Sequence, residues 1–178
     1  MAVETEIKLE LDEPSRLHAL SSFECVTPRQ FEDNTLFDKD QQLASKSQVM
    51  RLRRYGDSWT LTFKGPAKLN RQGIKKRTEH ECEVSDGQAA RAILEGLGFA
   101  PSFRYQKYRT TYRARNTLIM VDETPIGLYV ELEGPEDEIS EWIRALKWSD
   151  LKTVRESYVH LYLKRRGPDD PPDMVFSS

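Results

Sequence analysis

The chain has 178 residues, of which 31% are charged and 38% are hydrophobic, yet its formal net charge is only −2. This length is enough for one domain with a substantial core. The near balance of charge argues against a protein that coats nucleic acid, because such a protein carries a clear basic excess. Opposite charges are therefore expected to lie near one another in the folded chain.

Location and simple metal chemistry can be addressed from a few residues. Cys25 and Cys82 are the two cysteines. The sequence shows no signal-peptide pattern and no apolar run of membrane length, so we expect a cytoplasmic chain with reduced thiols and no membrane contact. No closely spaced Cys or His pair indicates zinc, and neither standard Gly-rich phosphate loop is present. If the chain binds phosphate, it must use side chains.

The first half of the chain predicts strands joined by short polar segments. In order, we expect a strand over 3–11, a helix over 13–22, a strand over 32–38, a turn and helix-like segment over 39–47, strands over 48–55 and 58–64, a basic loop over 65–73 and a strand over 75–84. Gly56 and Asp57 between two alternating segments are typical of a hairpin turn.

The second half predicts three more strands between helices. We expect a helix opening at Ser85 and ending at Gly96 to Gly98, strands over 102–114, 117–124 and 127–134, an acidic helix over 135–146 and a last helix over 154–163. Residues 1–166 are predicted to form a single domain. Residues 167–178, rich in Pro and Asp, are predicted to be a flexible tail.

Most of these strands carry their charges on one face. Successive side chains of a strand point to opposite faces, so Glu4, Glu6 and Lys8 lie opposite Thr5 and Ile7. The other charges that share a strand face in this way are Arg51, Arg53, Lys64, Arg77, Lys107, Arg109, Arg113, Asp122, Glu131 and Glu133. One such strand is usually an ordinary solvated surface, but recurrence on seven strands indicates a shared charged surface.

Two architectures could accommodate strands with one apolar and one charged face. A sandwich would turn the charged faces to solvent, whereas a closed barrel wrapped by helices would turn them into a tunnel. The predicted helices have apolar faces that could cover the outside of a barrel. The sequence therefore favours an α+β fold, an eight-stranded antiparallel closed β-barrel with helices packed on the outside.

A tunnel with basic and acidic walls suits a polyphosphate and a metal ion. Arginine forks and lysines can neutralise phosphate oxygens. Carboxylates are repelled by phosphate, but they are the hard oxygen ligands that Mg²⁺ or Mn²⁺ prefers, and a metal can bridge carboxylate and phosphate. A binding protein would need the basic wall alone, so a complete carboxylate set favours an enzyme over a non-catalytic polyphosphate- or nucleotide-binding module.

Several short motifs, in order along nearly the whole chain, resemble one known family. They are Glu4-x-Glu6-x-Lys8, Arg51-Leu52-Arg53, Leu61-Thr62-Phe63-Lys64-Gly65-Pro66, Lys107-Tyr108-Arg109, Val121-Asp122-Glu123 and Glu131-Leu132-Glu133. Together they are similar to the CYTH superfamily, the triphosphate tunnel metalloenzymes.

This resemblance implies a triphosphate substrate, a divalent metal and specific roles. Glu4, Glu6, Asp122, Glu131 and Glu133 would serve the metal, either Mg²⁺ or Mn²⁺. Lys8, Arg51, Arg53, Lys64, Lys107 and Arg109 would bind phosphate, with Glu4, Glu6 and Lys8 catalytic. The charged strand faces add Arg77 and Arg113 to the predicted phosphate-binding residues. Glu79 and Glu81 also fall where the family often carries tunnel carboxylates.

Within the superfamily, the segment 92–112 and Ser157-Tyr158 look most like the bacterial class IV adenylyl cyclase group. This favours conversion of ATP to cyclic AMP and pyrophosphate. A triphosphatase acting on inorganic triphosphate (tripolyphosphate), thiamine triphosphate or another organic triphosphate is the alternative. We expect no nucleic-acid partner, and a homodimer is compatible with a small barrel.

Overall fold

The structure is a computed structural model that describes residues 2–177, apart from the side chain of residue 2. Within this range ten strands are found: β1 Ala2–Glu10, β2 Glu24–Asp38, β3 Val49–Tyr55, β4 Ser58–Lys64, β5 Lys68–Leu69, β6 Lys75–Val84, β7 Ala100–Ala114, β8 Thr117–Thr124, β9 Gly127–Glu133 and β10 Lys152–Thr153. The α-helices of the same range are α1 Gly87–Gly96, α2 Glu136–Ala145 and α3 Tyr158–Arg165, and 3₁₀ helices span Pro14–Leu20 and Ala44–Lys46.

Eight of these strands close into a barrel. Their order is β1-β9-β8-β7-β2-β3-β4-β6, and β6 pairs back onto β1, so the ring has no open edge. All of these pairings are antiparallel. The short strands β5 and β10 extend the sheet beside β6 and β1. The predicted eight-stranded antiparallel barrel is confirmed.

The apolar faces of the strands point outward and are covered by helices. Beneath α2, Ile7, Ile119 and Leu132 pack with Ile139 of that helix and with Trp148. A smaller cluster joins Phe37 and Leu52 to Leu94 of α1. Burying this surface stabilises the barrel by roughly 25 cal/mol for each Å² of apolar area removed from water. The charged faces are consequently left to line the interior.

Some predicted elements differ in length or type. β2 begins at Glu24 rather than at residue 32, and its pairing with β7 contains three register shifts. Such irregular pairing disrupts the alternation by which strands are predicted. The segment expected as a helix over 13–22 is a 3₁₀ helix over Pro14–Leu20. The last helix begins at Tyr158, four residues later than predicted.

The C-terminal segment, which its composition predicts to be a flexible tail, contacts the barrel near its end. Met174 is fully buried, and its backbone bonds to β7 through the N–H of Gln106 and the carbonyl of Arg104. The centroid of the Phe176 ring lies 5.3 Å from that of Tyr108. Two apolar side chains and two backbone hydrogen bonds therefore dock residues 174–176 on the barrel.

Two other features bear on the expected surroundings of the chain. Among residues 2–177, no helix is both long enough and apolar enough to cross a membrane. Cys25 and Cys82 are free and exposed.

Candidate active site

The strand register brings the predicted charged residues into one interior space. On β1, Glu6 faces Glu133 of β9 and Lys75 of β6, while Lys8 faces Glu131. The space is a cavity of about 1860 Å³. The predicted site residues that line it are Glu4, Glu6, Lys8, Arg51, Arg53, Lys64, Arg77, Lys107, Arg109, Arg113, Glu131 and Glu133.

Four carboxylates, Glu4, Glu6, Glu79 and Glu133, form what we call the acidic cluster. Burial, together with the negative charges of Glu4 and Glu6, raises the pKa of Glu133 to about 7. Burial and the adjacent Glu4 carboxylate also raise the pKa of Glu79. Glu133 forms no salt bridge with any other residue in the range 2–177. Negative charge is therefore only partly compensated at this place in the tunnel.

Glu4 is the best compensated member of the acidic cluster. Lys64 Nζ lies 2.9 Å from Glu4 Oε1, and Arg77 Nε lies 2.8 Å from Oε2. Burial alone would raise its pKa, but Lys64, a hydrogen bond with Glu79 and Arg77 lower the pKa of Glu4 to about 2. Glu6 has more distant partners, with Lys75 Nζ at 3.9 Å and Arg77 Nη2 at 3.7 Å.

The acidic cluster has the chemistry of a divalent-metal site. Its donors are hard carboxylate oxygens, and the raised pKa of Glu133 reports a negative charge that a cation would neutralise. In residues 2–177 as they stand, no three acidic, His or Cys side chains are arranged to hold one ion. Glu4 and Glu6 instead contact Lys64 and Arg77, so metal binding would exchange these partners. Glu4, Glu6 and Glu133 are the residues that fit the ion.

Asp122 lies in a different environment from the acidic cluster. It is fully buried, and Arg109 binds both of its oxygens, with Nε–Oδ1 and Nη2–Oδ2 distances of 2.6 Å. Lys107 Nζ lies 2.8 Å from Oδ2, and the Tyr158 hydroxyl donates to the same oxygen at 2.7 Å. We call Asp122, Arg109, Lys107 and Tyr158 the Asp122 network. The sequence predicts that Asp122 serves the metal. In the structure, however, both of its oxygens are already bound by cations and a hydroxyl.

Glu131 connects the Asp122 network with β1. Its carboxylate contacts Arg109 Nη2 and lies 3.4 Å from Lys8 Nζ. Burial opposes ionisation of Glu131, but Arg109, Lys8 and Lys107 hold its pKa well below the usual range. Lys8 also lies over the Tyr158 ring, 3.7 Å from its centroid. Glu131 is thus an ionised partner of several cations rather than a member of the acidic cluster.

The arginines that line the cavity differ in how deeply they are buried. Arg51 is buried and donates to Thr62 Oγ1 at 3.2 Å and Glu81 Oε2 at 3.4 Å, while its Nε has no partner among the described residues. Arg53 lies beside it on β3 with 18% of its side chain exposed. Arg113 is 54% exposed at the rim of the cavity, where it is 3.7 Å from Glu24. Arg113 is therefore a peripheral member of the predicted phosphate set.

The sequence did not predict a place in the tunnel for two residues that complete this interior. Glu32 is buried between Lys107 and Arg53, and its position on the same strand face as Asn34 was the available signal. Tyr158 enters from α3, far along the chain from the strands that it joins. Its role depends on how α3 docks, which strand alternation does not encode.

The comparisons with known proteins agree with this geometry, a closed antiparallel tunnel with cationic and acidic side chains inside. The family model described as "CYTH domain" matches residues 2–163. The chain belongs to the CYTH domain family. The comparison with curated proteins gives no match.

Solved structures share the fold at low sequence identity. A Pyrococcus horikoshii OT3 protein is 24% identical with a TM-score of 0.75, and the match covers 92% of this chain and 99% of that one. A candidate adenylate cyclase from Vibrio parahaemolyticus is 17% identical with a TM-score of 0.73, covering 90% and 97%. A candidate adenylyl cyclase from Hippeastrum, described as having a dominant triphosphatase activity, is 22% identical with a TM-score of 0.73, covering 93% and 98%.

Proposed function

We propose that this chain is a divalent-metal-dependent phosphoryl-transfer enzyme whose substrate is a triphosphate bound inside the tunnel. The observation that carries the proposal is the undercompensated acidic cluster, Glu4, Glu6, Glu79 and Glu133, facing the same cavity as Arg51, Arg53, Lys107 and Arg109. A triphosphate with its metal ion needs both groups of side chains, because phosphate is bound by the cations and the metal ion by the carboxylates.

The basic side chains would bind and orient the phosphates. Arg51 and Arg53 sit side by side on one strand face, where their forks can each take two phosphate oxygens. Lys107 and Arg109 are held in place by Asp122, so their positions are fixed before substrate arrives. Fixed donors aimed at developing charge supply a large part of phosphoryl-transfer catalysis.

Glu4, Glu6 and Glu133 would hold the metal, with the other residues arranged around it. The ion supplies charge neutralisation on the phosphate oxygens and a means of orienting the nucleophile. Lys64 and Arg77 bind Glu4 and line the same cavity, so they would place positive charge beside both the metal-binding carboxylates and the phosphates. Glu6 is only 7% exposed, and burial of this degree strengthens electrostatic interactions.

Within this class we favour an adenylyl cyclase-like reaction on ATP. The supporting residues are those that resemble the class IV group, together with apolar side chains of the cavity lining that could contact a nucleoside: Leu36, Val49, Phe103, Val159 and Leu163. In this reaction the ribose 3′-oxygen attacks the α-phosphorus and loses its proton. The bond from the α-phosphorus to the bridging oxygen breaks, and pyrophosphate leaves.

Hydrolysis of a triphosphate is the second candidate. Here water attacks the terminal phosphorus, and the bond from that phosphorus to its bridging oxygen breaks. The remaining diphosphate leaves, and the water, having lost a proton to solvent, becomes part of the orthophosphate product. The Hippeastrum neighbour, which is 22% identical, is the reason for this second candidate. That protein is described both as a candidate cyclase and as having a dominant triphosphatase activity. The same charged walls serve either reaction, and the outcome depends on which phosphorus faces the nucleophile.

Product identification tests the proposal. Purified protein is incubated separately with ATP, tripolyphosphate and thiamine triphosphate, each with Mg²⁺, with Mn²⁺ or with EDTA. Metal-dependent formation of cyclic AMP and pyrophosphate supports the cyclase. Orthophosphate without cyclic AMP rejects the cyclase in favour of the triphosphatase. Tight triphosphate binding without turnover of any substrate rejects both and supports a binding module.

A further inference from the structure

Glu32 is a buried carboxylate embedded in the basic side of the tunnel. It lies on β2 in register with Tyr55 of β3 and Lys107 of β7, and only 1% of its surface is exposed. A charge at such a depth is stable only when it is paired. Burial opposes its ionisation, yet Lys107, Arg53 and Arg109 hold the pKa of Glu32 far below the usual range. Glu32 is therefore an ion among cations.

The contacts of Glu32 run to two of those cations and to one amide. Its Oε1 is 3.5 Å from Lys107 Nζ, 3.6 Å from Arg53 Nε and 2.9 Å from Asn34 Nδ2, which donates to it. Asn34, itself fully buried, accepts from Arg53 Nε through Oδ1 at 3.3 Å. Two neighbouring side chains of β2 thus contact the same nitrogen of Arg53: Glu32 through an ion pair and Asn34 through a hydrogen bond.

Because these contacts are made at Nε, the two terminal nitrogens of the Arg53 guanidinium remain available to bind a ligand. Neither terminal nitrogen of Arg53 donates a hydrogen bond to another residue in the range 2–177. Arg53 faces the cavity, as does Lys107, which lies between Glu32 and Asp122. A guanidinium anchored at Nε presents its two terminal nitrogens as a fixed fork.

Glu32 also limits how strongly this wall attracts an anion. Its negative charge partly cancels Lys107 and Arg53 at 3.5 and 3.6 Å. It therefore weakens ground-state attraction for a triphosphate while fixing the donors that must match the transition state. Interactions of this kind favour turnover over tight substrate binding.

We propose that Glu32 is a positioning residue of the basic wall, acting through Arg53 and Lys107. With Asn34 it fixes the direction in which these two side chains meet the substrate, and it makes no contact with the substrate itself. The kinetic part of this inference rests on the proposed function, whereas the geometric part does not. Its Oε2, which has no hydrogen-bond partner among the described residues, is consistent with a group retained for its charge.

Glu32→Gln tests the proposal, because it keeps the shape and removes the charge. We expect kcat to fall about tenfold, with KM for the triphosphate unchanged or lower, as seen when a supporting partner of a functional group is lost. Arg53→Ala should instead raise KM. Asp33→Asn is the matched control, since Asp33 is the next residue on β2 and bonds Arg104 on the exposed face.

A nuclear magnetic resonance measurement separates the geometry from the chemistry. The Arg53 Nε–H signal, identified by its loss in Arg53→Lys, should be protected from exchange in the unmodified chain and lose protection in Glu32→Gln but not in Asp33→Asn. Glu32→Asp, which keeps the charge on a shorter side chain, should recover part of that protection and provides a second variant if Glu32→Gln does not fold.

These measurements test the positioning role of Glu32 separately from the proposed function. An unchanged Arg53 signal in Glu32→Gln overturns the positioning role whether or not the protein turns over any substrate. Unchanged kcat and KM, or a raised KM with unchanged kcat, would also overturn it. If the unmodified chain neither binds nor converts a triphosphate, the proposed function fails, and the Arg53 signal alone decides the role of Glu32.

Discussion

The Asp122 network and the acidic cluster are built from the same kinds of residue but balance their charges differently. Asp122 is fully buried and is bound by Arg109, Lys107 and Tyr158, so each of its oxygens has a partner. Glu133 is partly exposed, faces Glu6 across the β1–β9 pairing, and burial with neighbouring carboxylates raises its pKa to about 7. One region is a closed set of ion pairs, and the other has an excess of negative charge.

This difference separates structural support from ligand binding. Complete pairing fixes side chains and leaves little for a metal ion to improve. Incomplete pairing leaves a site that a cation would stabilise, which is typical of functional sites. We therefore propose that the Asp122 network holds the basic wall and that the acidic cluster binds the metal.

The largest expected effect is on stability, from Asp122→Ala. This change leaves Arg109 and Lys107 buried without their main counter-ion, and breaking a buried pair in this way costs about 3–5 kcal/mol. Urea unfolding followed by circular dichroism measures the loss. Asp150→Ala, which breaks an exposed pair with Arg16, is the control and should leave the midpoint unchanged. Equal midpoints for the two variants would show that Asp122 does not support the wall.

The next effect is on turnover, from Glu6→Ala and Glu133→Ala. Because these changes remove metal donors from the acidic cluster, we expect roughly a hundredfold or greater loss of kcat/KM with the fold intact. Steady-state assays on the preferred triphosphate measure it. Glu10→Ala is the matched control, since Glu10 shares the strand face of Glu6 but pairs outside with Lys152 and Arg165. Near-normal rates in either variant would contradict the metal assignment.

A smaller effect is expected in the pH dependence of stability. The pKa of Glu133 is about 7 in the folded chain and 4.5 in the unfolded chain. Between pH 4.5 and pH 7, Glu133 is therefore protonated in the folded state and ionised in the unfolded state. Stability due to Glu133 should therefore decrease as the pH rises from about 4.5 to 7 in metal-free protein. Thermal unfolding at pH 5 and pH 8, compared with Glu133→Gln, measures this loss.

Glu133→Gln should show a smaller decrease than the unmodified chain across that interval, and added Mn²⁺ should reduce the decrease in the unmodified chain. If the two chains lose the same stability from pH 5 to pH 8, the charge excess at Glu133 is absent.

The smallest effect is expected at the rim of the basic wall. Arg113→Ala should change KM for the triphosphate by less than about twofold, because Arg113 is 54% exposed and its charge is screened by solvent. Arg53→Ala should raise KM about tenfold or more, since Arg53 lies inside the cavity. A comparable change in the two variants would place the substrate nearer the rim.

Strand alternation, together with helix faces that could cover the outside, predicted the barrel and the strand face of most charges that line the cavity. Glu4, Glu6 and Lys8 share a face of β1, and the covering helices required that face to point inward. Alternation shows which face a charge occupies but not which opposite charge it meets. For that reason Asp122 was predicted among the metal ligands, although register places it beside Arg109.

Three features lay outside what periodicity can show. The first half of β2 was missed because its pairing with β7 shifts register around residues 25–30. Tyr158 reaches the tunnel from α3, and Met174 reaches β7 from the C-terminal segment. Both depend on long-range docking, which leaves no local pattern.

Calorimetric titration of Mn²⁺ into the protein at pH 7, in the presence of tripolyphosphate, tests the division between the two regions most directly. We predict that the unmodified chain and Glu10→Gln bind Mn²⁺ alike, whereas Glu133→Gln binds it at least about tenfold more weakly, because one of its donors is lost. Equal affinity in Glu133→Gln and Glu10→Gln would contradict the assignment of the acidic cluster to the metal.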